Sequence, residues 1–293
     1  MAHDTTRSAG FGRLWSSMAA AVQWRLLLLW LLVMLIPATV VAWPLSRMLG
    51  GLLDTSVHAA EWAQHFNAIM FGDVIGAFAD HPQWLGSAAL MGLILTLLLS
   101  PFLDGMIVGS GRAGRRLGFG ALLQNGLVEY GRMFRVMLWS LLPYGVVLAV
   151  GGIGAHVAEN TADKAVLESQ VDSVHAILHV VLLIVFVLMQ SIVESARAAF
   201  IADGSLRSAT RALWRGVKQL LRRPLNTLLF YLVVTLVGLV LASIFAMARI
   251  HVTAFGMGGF LFALVLSQLM VLAIGWMRTA RLFALGEVAR SMS

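Results

Sequence analysis

The chain contains no cysteine. That excludes a disulfide framework, a thiolate metal site and a cysteine nucleophile. Charge is scarce as well: 12% of the 293 residues are Asp, Glu, Lys or Arg, 59% are hydrophobic, and mean hydropathy is +0.86. A soluble globular domain carries about 25% charged residues, so an ordinary soluble fold is excluded. No Gly-x-Ser-x-Gly elbow occurs, which leaves serine nucleophilic catalysis without support. No glycine-rich loop ends in Gly-Lys-Ser or Gly-Lys-Thr, so the chain does not itself hydrolyse nucleotides. Arg112-Ala113-Gly114-Arg115-Arg116 resembles a phosphate loop in composition only and reads as a basic topogenic cluster. No complete catalytic set can be assembled, and no cofactor is implied.

What the chain does have is long apolar runs, near residues 26–43, 86–109, 136–155, 174–196, 225–248 and 253–277. Crossing ~30 Å of hydrocarbon takes about 20 helical residues, so the length accommodates six spans with short connections. The runs are continuous, whereas strands of a barrel would alternate polar and apolar residues. Helices satisfy their own backbone groups, as lipid requires. Arg13 and Arg25 precede the first run as in a secretory signal. That run is long and lacks a small-x-small site before Trp43, so it reads as an uncleaved span.

Of the 21 Lys and Arg residues, 18 fall before the first run or after the second, fourth and sixth. The remaining connections hold only Arg47, Lys164 and Arg249 against eight acidic residues. Cytoplasmic loops retain Lys and Arg, so both termini are expected inside a bacterial inner membrane. The high pI then reflects loops facing anionic headgroups, with no nucleic-acid partner implied.

Three basic stretches lead into apolar spans: AGFGRLWSSMAAAVQWRLLLLW, LGFGALLQNGLVEYGRMFRVMLW and SATRALWRGVKQLLRRPLNTLLF. Gly10-Phe11-Gly12 matches Gly118-Phe119-Gly120 at an offset of 108, and Gly126 matches Gly216 at an offset of 90. The second offset also places Asp104 over Glu194. ESARAAFIAD over RTARLFALGE superposes Arg197 on Arg281 and Asp203 on Glu287. The pattern predicts one transmembrane domain over 1–293, with degenerate repeats over 10–110, 118–204 and 208–288. Each repeat is a helical hairpin preceded by a cytoplasmic amphipathic helix. Parallel repeats of this kind can surround a central pathway.

The strongest amphipathic segment is RSATRALWRGVKQLLRR, on which Arg207, Arg211, Arg215, Lys218 and Arg222 fall within one quarter of a helical circumference. Ala209, Ala212, Leu213, Gly216, Val217 and Leu220 face the other way. Such a helix is expected to lie in the interface, apolar face down and cations toward lipid phosphates. Pro224 suits the first turn of the next span, and Pro37, Pro101 and Pro143 are expected to kink spans from within. Gly151-Gly152 and Phe255-Gly256-Met257-Gly258-Gly259 are expected to admit close helix contact.

Charges within spans are costly, ~2.5–3.5 kcal/mol or more at mid-span, and less near the ends. Asp104, Glu194, Arg197, Arg278 and Arg281 all stand near the basic ends of even-numbered spans. The repeat places Asp104, Glu194 and Arg278 at equivalent positions, where they can meet as a polar ligand-binding core. The alternative role is an ion-paired cluster that only locks the bundle, with arginines snorkelling to headgroups. Seven of the eight histidines fall on the opposite side. His58, Glu61 and His65 share a helix face, and His175 and His179 stand four apart, a spacing that can hold a divalent metal. Neither stretch fits His-Glu-x-x-His, and no metal site is assigned to them.

LGFGALLQNGLVEYGRMFRVML and SATRALWRGVKQLLRRPLNTLL carry a resemblance over most of the chain. The arrangement resembles the stand-alone relatives of the membrane domain found fused to bacterial glycerophosphodiester phosphodiesterases. The resemblance implies an all-helical inner-membrane architecture. With no phosphodiesterase catalytic domain present, it carries over no activity and no functional residue.

The expectation is therefore an all-α polytopic membrane protein with six transmembrane helices. Its leading role would be transport or handling of a lipid or amphiphile, alone or as the membrane subunit of a complex, with membrane lipids and anionic headgroups as partners. A scaffold or assembly factor recruiting a cytoplasmic protein partner is the alternative, and an outer-face metal or pH sensor the third.

Overall fold

Apolar runs of this length leave the backbone few ways to satisfy its own polar groups away from water, and the chain resolves them as helices. The computed structural model describes residues 3–54, 56–58, 68–80, 82–163, 168–252 and 256–292, and no strand occurs among the described residues. In chain order the helices are α1 (His3–Ala20), α2 (Trp24–Leu53), α3 (Ala68–Asp80), α4 (Pro82–Ala113) and α5 (Phe119–Trp139). They are followed by α6 (Leu141–Ala162), α7 (Glu168–Ala202), α8 (Ala209–Arg222), α9 (Pro224–Ile250) and α10 (Gly256–Arg290).

Six helical stretches are long and apolar enough to cross a membrane: Trp24–Leu53, Leu85–Ala113, Phe119–Ala162, Val171–Ala202, Pro224–Ile250 and Gly256–Arg290. Large apolar side chains on them point outward, among them Leu32, Ile36, Leu93, Leu97, Leu148, Leu183, Leu236 and Phe262. Soluble proteins do not expose apolar surface on this scale. The protein is an all-α, multi-pass membrane protein.

Proline and glycine punctuate these helices in ways the sequence only partly anticipates. Pro37 and Pro44 lie inside α2, and Pro101 lies inside α4. Pro143 lies within the continuous apolar stretch Phe119–Ala162, three residues after the break at Ser140 that divides α5 from α6. A proline cannot donate to the carbonyl four residues back, here that of Trp139 at the end of α5, so the break falls where a kink from within the span is expected. Pro224 opens α9 as expected. Gly114 ends α4 with φ of +62°, the left-handed cap that glycine adopts without penalty.

A Cβ on Gly152, Gly256 or Gly258 would meet open space, and one on Gly151 would make only an ordinary contact with Leu182 at 3.7 Å. The tight sites instead seat α5 on α4 and α8 on α7. A Cβ on Gly105 would stand 3.0 Å from the Gly126 carbonyl oxygen, and one on Gly216 would overlap the Ile192 carbonyl and the Ala196 amide.

The helices preceding spans bury matching triplets of residues. These are Leu14, Met18 and Ala21 at α1, Leu122, Gly126 and Glu129 on α5, and Ala212, Gly216 and Gln219 on α8. Successive triplets are separated by the offsets of 108 and 90 residues seen in the sequence. Two compact units make up the chain: one of Met1–Val22, Asp104–Thr235 and Arg278–Ser293, the other of Gln23–Leu103 and Leu236–Met277. In the second, α2 meets α4 where Val41 covers Gly92, and α10 where Trp30 covers Gly275. The ion pairs described next all belong to the first.

Candidate functional site

Asp104, Glu194, Arg197, Arg278 and Arg281 come together. α4 supplies Asp104, α7 supplies Glu194 and Arg197, and α10 supplies Arg278 and Arg281. Each acid is shared between two cations. Asp104 lies 3.2 Å from Nε of Arg197 and 2.8 Å from the Arg278 guanidinium. Glu194 accepts from Arg197 at 3.1 Å and faces Arg281 at 3.7 Å. Arg197 therefore bridges the two carboxylates, with Arg278 and Arg281 at the ends of the chain of ion pairs.

Burial makes this arrangement matter. The side chains of Asp104 and Glu194 are 3% and 1% exposed, and that of Arg197 8%. Taking such ions out of water costs several kcal/mol each unless they are paired and hydrogen-bonded. Three guanidinium groups against two carboxylates leave the network one positive charge in excess. Glu194 Oε2 and Arg281 Nε have no hydrogen-bond partner among the described residues.

The network extends through further polar groups, all but Gln190 missed from the sequence. The Tyr144 hydroxyl donates to Gln190 Oε1 at 2.5 Å, and Gln190 Nε2 donates to Glu194 at 3.4 Å. Arg281 donates to Thr235 Oγ1 at 3.4 Å and lies over the Tyr231 ring, 5.3 Å from its centroid, a cation–π geometry. Gln190 was legible as a polar residue one turn before Glu194. The tyrosines and the threonine carry no signal apart from their partners.

A second buried ionic site was not anticipated. Glu129, 2% exposed, lies 2.8 Å from Arg112 and 3.0 Å from Arg132. The other face of Arg112 donates to the Phe200 carbonyl at 3.0 Å. That carbonyl is among the last of α7, where helical carbonyls lack intrahelical donors and attract cations. Arg112 thus ties α4, α5 and α7 together. Glu129 stands 90 residues before Gln219, which is equally buried and donates to the Leu285 carbonyl at 3.4 Å.

The basic helix α8 presents Arg211, Arg215, Lys218 and Arg222 as one exposed stripe. Arg207, expected on the same helix, is exposed but lies before it. Ser208 is extended at φ −93° and ψ 122° and caps α8, accepting from the Arg211 amide at 3.4 Å. The opposite face divides in two. Ala209, Ala212, Gly216 and Gln219 are buried, whereas Leu213, Val217 and Leu220 are half-buried and Trp214 and Leu221 are fully outside. Only part of the apolar side is therefore free to meet lipid, because α8 packs on α7 through Gly216. Arg215 also pairs with Asp203 at 2.7 Å. Asp203 is held down to about 2 by hydrogen bonds from the Ser205 hydroxyl and Arg215 and from the Ser205 amide.

His175 and His179 are exposed on α7, with ring centroids 6.4 Å apart. Nδ1 of His179 bonds the His175 carbonyl at 2.7 Å. His58 is exposed, and His65 and Glu61 lie outside the described residues. No group of three or more His, Cys, Asp or Glu side chains able to hold a metal occurs among the described residues. The chain matches no family model, no curated protein and no solved structure.

Proposed function

We propose that this multi-pass protein handles a lipid or amphiphile in a bacterial inner membrane, with both termini cytoplasmic. The observation that carries the reading is the three-sided character of α8. One side is seated on α7 by Gly216, one carries the four-cation stripe, and a third exposes Trp214 and Leu221. A helix at the edge of a bundle needs these sides where protein, headgroups and acyl chains meet. An aromatic ring at headgroup depth and cations toward phosphate are the favoured placements. The matching buried triplets of α1, α5 and α8 support a degenerate threefold repeat. Its equivalent positions Asp104, Glu194 and Arg278 then form a polar ligand-binding core near the inner ends of the even-numbered spans. The resemblance read from the sequence to the membrane domain of glycerophosphodiester phosphodiesterases would imply the same all-helical architecture.

The test uses purified protein in liposomes carrying fluorescent headgroup-labelled lipid, with dithionite quenching the outer leaflet. The protein should increase the quenched fraction beyond one half. Replacing Arg211, Arg215 and Lys218 together with Gln should slow anionic lipid more than zwitterionic lipid. Absence of protein-dependent movement, with a stoichiometric cytoplasmic protein recovered by crosslinking instead, would replace lipid handling by a scaffold role.

A further inference from the structure

The α8 stripe does more than face outward. Where it meets the ends of α7 and α10, a cavity of about 320 Å³ opens, lined by Asp203, Arg215, Lys218, Gln219 and Arg222. Its apolar wall comes from Ala199 and Ala202 of α7 and from Ala289 and Met292 at the end of α10. We propose that this cavity is a binding site for a phosphate group, held by Lys218 and Arg222. The proposal deepens the reading of α8 as a surface for anionic groups and rests on it.

The charge distribution within the cavity carries the argument. Arg215 is neutralised by Asp203 at 2.7 Å, and Asp203 is itself fixed by the Ser205 hydroxyl at 2.6 Å and amide at 2.9 Å. That pair spans the α7–α8 connection. Lys218 and Arg222 are the cations left over. They stand at i and i+4, neighbouring positions on one helical face. Neither makes a hydrogen bond or ion pair among the described residues. Two uncompensated cations side by side at the mouth of a cavity repel each other, and an anion between them removes the repulsion. Guanidinium offers a planar fork and ammonium a point charge, the two complementary ways of binding phosphate oxygens. Arg135, exposed on α5, does not line the cavity and so serves as a control.

The same chemistry can come from a phospholipid headgroup or from free phosphate, and the experiment separates them. Purified protein in neutral detergent is titrated with dioctanoyl phosphatidylglycerol, with dioctanoylglycerol lacking phosphate, and with inorganic phosphate. Native mass spectrometry counts bound lipid, and calorimetry follows phosphate. The site predicts saturable, one-to-one binding of the phosphatidylglycerol and none of the diacylglycerol. Lys218→Gln with Arg222→Gln should weaken binding at least tenfold, Arg135→Gln less than twofold, and Lys218→Arg should retain most of it. Both altered side chains are exposed, and an unchanged helical circular dichroism spectrum establishes that the double variant is folded. Phosphate binding with the same variant dependence supports the site with phosphate alone as sufficient ligand; lipid binding alone assigns it to headgroups. Equal losses for Arg135→Gln and the double variant overturn the cavity while leaving a diffuse electrostatic surface in place. No binding of any phosphate compound overturns both.

Discussion

Converting Asp104 to Asn preserves shape while removing a carboxylate that two guanidinium groups share. Three arginines then face Glu194 alone, and the excess charge of the buried network rises from one to two. Breaking a buried ion pair by deleting one partner costs about 3–5 kcal/mol, chiefly because the other charge is left uncompensated. The Arg278 side chain is 21% exposed and can turn partly toward water, so the lower end of that range applies. The nine tryptophans provide a fluorescence signal for thermal unfolding in detergent. A loss of ~3 kcal/mol corresponds to a fall in Tm of the order of 10 °C for a domain of about 150–250 residues. The exposed Glu287–Arg290 pair supplies the control, since such pairs contribute about 0.2–1 kcal/mol. Arg278→Gln completes a double-variant cycle, and the two substitutions together should cost less than their sum by roughly 1–3 kcal/mol. The ion network has no structural role if Asp104→Asn lowers Tm no further than Glu287→Gln. Additivity to within about 0.5 kcal/mol would likewise refute the direct contact.

Further outcomes follow from the rest of the structure. Gly216→Val should displace α8 from the α7 backbone and destabilise by ~1–3 kcal/mol, seen as faster tryptic cleavage at Arg211 and Arg215; unchanged cleavage would contradict the contact. The Asp203 carboxyl lies below its ordinary value, so its stabilising contribution is full above about pH 4 and fades as pH falls toward 2. A Trp214 fluorescence transition in that window should vanish in Asp203→Asn, and its persistence would remove Asp203 as the cause. Because the natural chain has no cysteine, single replacements report topology directly. Ser205→Cys should react with impermeant maleimide only from the cytoplasmic side and Asn160→Cys only from the outside, and the reverse pattern would invert the orientation.

The spans were legible because apolar runs of 18 or more residues have few alternatives in lipid, and the basic segments because their cations recur between those runs. Asp104, Glu194 and Arg278 could be brought together from the sequence because a charge at the end of a span is conspicuous and repeats at fixed offsets. Glu129 was hidden by its setting. A glutamate on an amphipathic helix reads as a solvated residue, and only Gly126 one turn earlier, at the offset of Gly216, hinted that this face is buried. Tyr144 and Thr235 were illegible for another reason: neither type is unusual in a span, and each acquires meaning only from a partner 46 residues away. The division of α8 into seated and free apolar sectors was likewise beyond a helical projection. Periodicity separates polar from apolar but does not say which apolar side chains meet protein and which meet lipid.

The order of synthesis gives the Asp104–Arg278 contact a further consequence. The two residues are 174 positions apart, and ribosomes add about 5–20 residues each second. For roughly 9–35 seconds the acid is already inserted while Arg278 has yet to be made. Arg197 arrives about halfway through that interval, but until α10 follows, Asp104 and Glu194 share its single guanidinium, and the Arg112 grip on Phe200 waits in the same way for α7. Chains stalled or truncated before α10 should therefore be marked for degradation by the very group that later fastens the bundle.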